Sequence, residues 1–252
     1  MRYFFILLRQ ELRTLLFSPA TYTVAVLFLG LMGWIYWRIL LQLSLESQPD
    51  LPSRVFFEFF WLPVFFVVPL LTMKSLAEER RLETLEALKT TPVTALEIVL
   101  SKFFAAYLLY NLLWLLTLAY PILVASALSS TLAKNQLLEP GVLIGGYLFI
   151  ASSGLLFTAV GILCSSLTRS QFVAGMLSFC TLFIIIIGFR ELQQEAGNWL
   201  PAMSQTLNYF QPFRDLENFS GGVLDSRPLI FYLSNTFLVL GLSVLVVDAK
   251  SL

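Results

Sequence analysis

Histidine is absent from the chain, and cysteine occurs only twice. The first absence removes the commonest metal ligand and general base. The two thiols, Cys164 and Cys180, lie inside apolar runs without a C-x-x-C spacing. They read as buried free thiols rather than as a redox or metal pair. No Gly is followed by Lys. The chain therefore lacks G-x-x-x-x-G-K-S/T and cannot cradle ATP by the P-loop route. Charge is scarce too: 16 Lys and Arg balance 16 Asp and Glu, 13% of 252 residues. A net charge of zero gives no bulk argument for nucleic acid. The middles of the last four apolar runs contain no Asp, Glu, Lys or Arg. Ion-coupled carriers keep ionisable groups at such depth, so that class is disfavoured. Glu58 lies near the end of a run, which suits an interface, and Asn111 and Asn235 suit neutral hydrogen bonds between helices. No nucleophile–base pair stands out, so the chain is not expected to be an enzyme.

What is abundant is apolar surface: 58% of residues are hydrophobic and 15% aromatic. A soluble domain of this length could not bury that much. Six runs, near 20–40, 56–76, 102–127, 141–165, 171–189 and 229–247, are long enough to cross a bilayer as helices. The expected fold is an all-α polytopic membrane protein, one domain over residues 1–252. Trp34, Tyr36 and Trp37 suit an interfacial belt. Gly141 and Gly145 make one G-x-x-x-G in the fourth run, which fits either association between chains or packing within one.

Residues 1–18 precede the first run. On a helical wheel Arg2, Arg9 and Arg13 fall within about 40° of one another, with Phe and Leu over most of the rest. This predicts an amphipathic helix in the interface, its Arg row toward lipid phosphates. Charges interrupt the apolar stretch and no small-residue cleavage site follows, which argues against a signal peptide. With the N-terminus in the cytoplasm, 10 Lys and Arg fall inside and 6 outside. That bias puts both termini in the cytoplasm, with no C-terminal domain expected there. Residues 190–228 become an outer loop, suited to a lid or to a lipid-facing anchor.

One hydrophilic stretch, residues 78–101, separates the second run from the third. Leu82, Leu85 and Leu88 recur on one side of a helix, and Glu79, Glu83 and Glu86 cluster within roughly 60° on another. Pro92 ends that helix. Thr94 and Glu97 then form a capping box that starts the next. The pattern fits a solvated loop or a docking helix for a cytoplasmic partner.

ERRLETLEALKTTPVTALEIVLSK resembles the segment between the second and third spans of ABC-2 type transporter permeases, most closely the branch with the gliding-motility and copper-processing permeases. The family pattern is roughly E-x-R-x-G-T-L-E-x-L-x-x-x-P-x-S/T-x-x-E-I-V-x-x-K. Glu79, Arg81, Thr84, Leu85, Glu86, Leu88, Pro92, Thr94, Glu97, Ile98, Val99 and Lys102 match it. Glu83 departs from it, standing where the family usually has Gly, a residue that permits turns Glu resists. RQELRTLLFSPATY resembles the family's opening through Glu11, Leu12, Arg13, Ser18, Pro19 and Tyr22. The stretch from Asn208 to Ser234 resembles its approach to the last span through Phe213, Phe219, Gly222, Asp225, Arg227, Tyr232, Leu233 and Ser234.

The resemblance implies an ABC-2, type V exporter-like membrane domain: an interfacial helix and six spans in the cytoplasmic (inner) membrane. The implied function is the permease subunit of an exporter driven by a separate ATPase. The implied partners are two ATPase copies, which hold ATP and Mg, and a second permease, identical or related. An accessory membrane or extracytoplasmic protein would also fit. The implied coupling residues are Glu79, Arg80, Arg81, Glu83, Thr84, Leu85, Glu86, Leu88, Pro92 and Glu97. Glu11 and Arg13 are the implied gate residues of the first helix; Phe213, Phe219, Gly222 and Asp225 belong to the outer loop. The alternative is a non-transporting scaffold or assembly factor that docks a cytoplasmic partner through the same segment.

Overall fold

Helix boundaries in this chain follow its prolines and polar caps. The computed structural model describes residues 3–44, 50–84, 93–128, 131–188, 190–191, 212–222 and 225–249. Helix α1 (Phe4–Leu16) stops at Phe17, and α2 (Pro19–Leu43) starts with proline at its first position. Proline is favoured there because its missing N–H would have no partner in the helix anyway. The same device starts α3 (Pro52–Glu58) and α9 (Pro140–Leu167). A turn at Phe59 and Phe60 separates α3 from α4 (Trp61–Thr72). The second apolar run is therefore not one helix from residue 56. The short α5 (Ala77–Arg81) follows α4 after one turn.

Helix α6 (Ala95–Leu116) begins at a complete capping box. Glu97 N donates to Thr94 Oγ1, and Thr94 N donates to Glu97 Oε2, each at 3.3 Å. Two backbone donors at the helix start are satisfied reciprocally. This cap starts the helix seven residues before Lys102, where the apolar run begins. After a turn at Thr117, α6 continues as α7 (Ala119–Ala127). Then come α8 (Thr131–Leu137), α9, α10 (Gln171–Phe183) with a π-helical extension Ile184–Gly188, α11 (Pro212–Ser220) and α12 (Ser226–Ala249).

Among the described residues there is no strand, and six helical stretches are long and apolar enough to cross a membrane. They are Pro19–Leu43, Trp61–Arg81, Ala95–Ala127, Lys134–Leu167, Gln171–Gly188 and Ser226–Ala249. The most buried is the fourth, which contains α9. It packs against α4, α6, α10, α11 and α12. Small residues on α9 allow this: a Cβ added at Gly161 would lie 2.4 Å from Thr72 Oγ1, and one at Gly145 1.9 Å from the Phe219 carbonyl oxygen. The close pair in the G-x-x-x-G is thus Gly145 with α11 of the same chain; among the described residues nothing lies within 4 Å of a Cβ at Gly141. The outward faces of α2, α10 and α12 carry exposed Val26, Leu27, Phe172, Phe183, Phe237 and Leu245. Such continuous apolar faces are a liability in water and a match for lipid tails.

Candidate functional site

The hydrophilic segment is fastened where it leaves the second span. Five residues of helix cannot hold themselves together, and α5 is fixed by its neighbours instead. Ser165 Oγ, on α9, accepts the Leu76 and Ala77 N–H groups, both at 3.1 Å. The same hydroxyl donates to the Met73 carbonyl at 3.3 Å. A serine of the central helix thus satisfies N–H groups at the start of α5 that an isolated helix would leave open.

From α5, consecutive side chains reach in two directions. Glu79 Oε1 lies 2.6 Å from Lys102 Nζ on α6, and Glu11 Oε1 on α1 lies 2.6 Å from the same nitrogen. The lysine side chain is only 3% exposed. It donates to both carboxylates, so one ammonium ties α1, α5 and α6 together. Burial of an ammonium is tolerable only with such partners. The second oxygen of Glu79 is buried without a hydrogen-bond partner among the described residues. A cleft of about 320 Å³ lies beside the cluster, lined also by Lys74, Ser75 and Glu78.

Arg80 turns the other way. Its guanidinium donates to the carbonyls of Ser166 and Val246, the latter at 3.3 Å. These carbonyls belong to the last turns of α9 and α12. A cation there meets the negative ends of two helices. Through Glu79, Arg80 and the Ser165 cap, α5 is joined to α1, α6, α9 and α12.

The segment then changes character. Arg81 makes a loose pair with Glu78 at 3.7 Å, and Arg81, Leu82, Glu83 and Thr84 are exposed. Glu83 adopts φ +58°, the one left-handed non-glycine among the described residues. Helix α5 ends at Arg81, so Leu82 and Glu83 fall in a turn rather than on the helix expected to carry Leu82, Leu85 and Leu88, and Thr84 is helical again. Glu79 and Glu83 do not share a solvent-facing acidic stripe, because the buried Lys102 draws Glu79 inward. Leu85, Glu86, Leu88 and Pro92 lie outside the described residues. A side chain in the left-handed region costs roughly 1 kcal/mol that glycine avoids. Glu83→Gly is expected to leave the fold intact and stabilise it by up to about 1 kcal/mol, read as a higher unfolding midpoint in detergent. A lower midpoint would contradict the strained turn.

Of the other predicted residues, Glu97 is buried in the capping box, while Arg13 is exposed in the last turn of α1. Lys102 matched the family pattern but was not singled out. Its signal is a lone cation at the mouth of an otherwise uncharged apolar run. Ser165 and Ser166 gave no signal in sequence, since serines on a small-residue helix look alike until a neighbour is placed.

At the opposite end of the spans, Phe219 is fully buried with its ring centre 6.3 Å from that of Phe149. Phe213 packs on Phe60 at 5.4 Å. Phe219 thus belongs to the protein core and is not a lipid-facing anchor. Gly222 takes φ +80° after α11, a conformation that favours glycine. Asp225 Oδ1 accepts the Arg227 N–H at 3.0 Å, at the start of α12. Asp215 accepts the Tyr232 hydroxyl at 3.0 Å. Burial pushes its carboxyl up to about 6, against the opposing pull of Tyr232 and Arg214.

The family model described as ABC-2 family transporter protein matches residues 46–249. No curated protein matches the chain. Glu79, Arg80 and Lys102 fall inside the matched range; Glu11 precedes it.

Proposed function

The chain belongs to the ABC-2 transporter family, and we propose that it is the permease subunit of an exporter powered by a separate ATPase. It is a multi-pass membrane protein and the membrane component of its system. In this reading it sits in the cytoplasmic membrane with both termini inside. It pairs with a second permease and receives two ATPase subunits, which hold ATP and Mg.

The observation that supports the reading is the fastening of α5. A cytoplasmic partner that grips the exposed turn at Arg81 to Thr84 pulls on a helix tied by ion pairs to α1 and α6. The same helix is tied by carbonyl contacts to α9 and α12. Displacing α5 therefore biases four other helices together. Transport needs such a link, because free energy released in the partner must change the packing of the spans.

The docking group with the largest apolar area in the described turn is Leu82, whose residue is 58% exposed. Replacing it with Asp is expected to weaken ATPase association at least about tenfold, the scale of one well-packed apolar anchor. The unfolding midpoint of the chain alone should not move, since Leu82 is exposed. Purification in mild detergent with a tagged chain reads both quantities. A stable complex with no ATPase would instead sink the permease reading and favour a scaffold.

A further inference from the structure

At the end of the bundle opposite Lys102, a cavity of about 560 Å³ opens between the α3–α4 turn and α11. Its lining combines acidic, basic and aromatic side chains. Glu58, Phe59 and Trp61 contribute from one side, and Phe213 and Arg214 from the other, with Arg190 beside them. Glu217 also lines it and is already paired with Arg54 at 3.2 Å. The Arg190 guanidinium lies 4.6 Å from the centre of the Phe213 ring. A guanidinium stacked by its face keeps its N–H edge for an anion.

The cavity also has a depth. The second span starts at Trp61 and α9 starts at Pro140. Helix α11, which forms one wall, is pinned to α9 at Gly145, about one turn from that start. The cavity therefore lies where hydrocarbon gives way to headgroups, a level that favours tryptophan. We propose that this cavity binds the phosphoethanolamine headgroup of a membrane phospholipid, with Arg190 at the phosphate and Glu58 at the ammonium.

The carboxylate decides the class of headgroup. Glu58 remains exposed; its partial burial shifts the carboxyl above its usual range, Arg54 opposes that shift, and Asp50 and Glu217 add to it. An incoming cation supplies the counter-charge that this site favours. A primary ammonium can donate charged hydrogen bonds to Glu58, which a quaternary choline cannot. A glycerol headgroup offers no positive charge at all.

The test uses the full chain, delipidated in mild detergent and titrated by native mass spectrometry with phosphatidylethanolamine, phosphatidylcholine and phosphatidylglycerol. The expected result is a preference for phosphatidylethanolamine on the order of tenfold. Arg190→Gln should weaken all three lipids, because all carry the phosphate. Glu58→Gln should weaken phosphatidylethanolamine alone and bring it level with phosphatidylglycerol, a selective change that misfolding would not produce. Excess free phosphoethanolamine should displace the lipid only at far higher concentration, since it lacks the chains. Equal binding of the three lipids by the unmodified protein, or no change in selectivity in Glu58→Gln, overturns the proposal. Free phosphoethanolamine binding as tightly as the whole lipid overturns the lipid source and makes the ligand soluble. None of these readouts depends on an ATPase.

Discussion

Lys102→Met is expected to lower the stability of the chain by about 3–5 kcal/mol, the cost of removing one partner from a buried ion pair. The substitution keeps the length and apolar stem of the side chain but leaves Glu11 and Glu79 facing each other without their shared cation. Both carboxylates lie 2.6 Å from the lysine nitrogen, so their mutual repulsion is now unopposed. One of the two must take up a proton or swing out, and either change loosens α1 or α5 from α6. The measurement is the unfolding midpoint in detergent. The triple variant Lys102→Met, Glu11→Gln, Glu79→Gln should recover most of the loss, because no charge of this cluster then remains. Transport separates structure from transmission. If the cluster transmits motion from α5, the stable triple variant still binds ATPase but exports little. If the triple variant exports normally, the three charges only hold the helices in place.

The second large effect is at Gly145. A single methyl group there meets the Phe219 carbonyl oxygen at 1.9 Å and its carbon at 2.7 Å. Those are backbone atoms of α11, which cannot rotate aside as a side-chain tip could. Helix α11 must move, dragging the buried Phe219 and the Asp215–Tyr232 hydrogen bond with it. Gly145→Ala is therefore expected to cost roughly 1–3 kcal/mol or more, the range of overpacked cores. Gly141→Ala, one turn away with no described residue within 4 Å of the new Cβ, should be neutral or stabilising by up to about 1 kcal/mol through helix propensity. Unfolding midpoints of the two variants test the contrast. If the G-x-x-x-G instead joined two chains, both substitutions would shift the dimer equilibrium and neither would single out α11. Equal midpoints for the two variants would refute the packing against α11.

Particular residues show why some of this was legible in the sequence. The spans were readable because lipid demands long uncharged helices, a constraint that acts on every residue in a run. The box at Thr94 and Glu97 was readable because all its hydrogen bonds lie within four residues. Glu83 stood out as an odd residue at a position where the family keeps glycine, and its φ of +58° gives the physical reason. Glu79 was harder. Periodicity placed it on an acidic face, but a helical wheel does not say which face meets a buried lysine 23 residues later.

Composition and local pattern were enough to give the class of this protein: six apolar spans and a polar segment between the second and third. These are consequences of composition and local pattern, which need no partner in space. Only the tertiary structure decided what the polar residues do. Lys102 gathers carboxylates from α1 and α5, Arg80 caps the ends of α9 and α12, and Gly145 admits the backbone of α11. Each of these contacts joins residues at least 23 positions apart. An ion pair or a close approach depends on position in space, and spacing along the chain does not encode it.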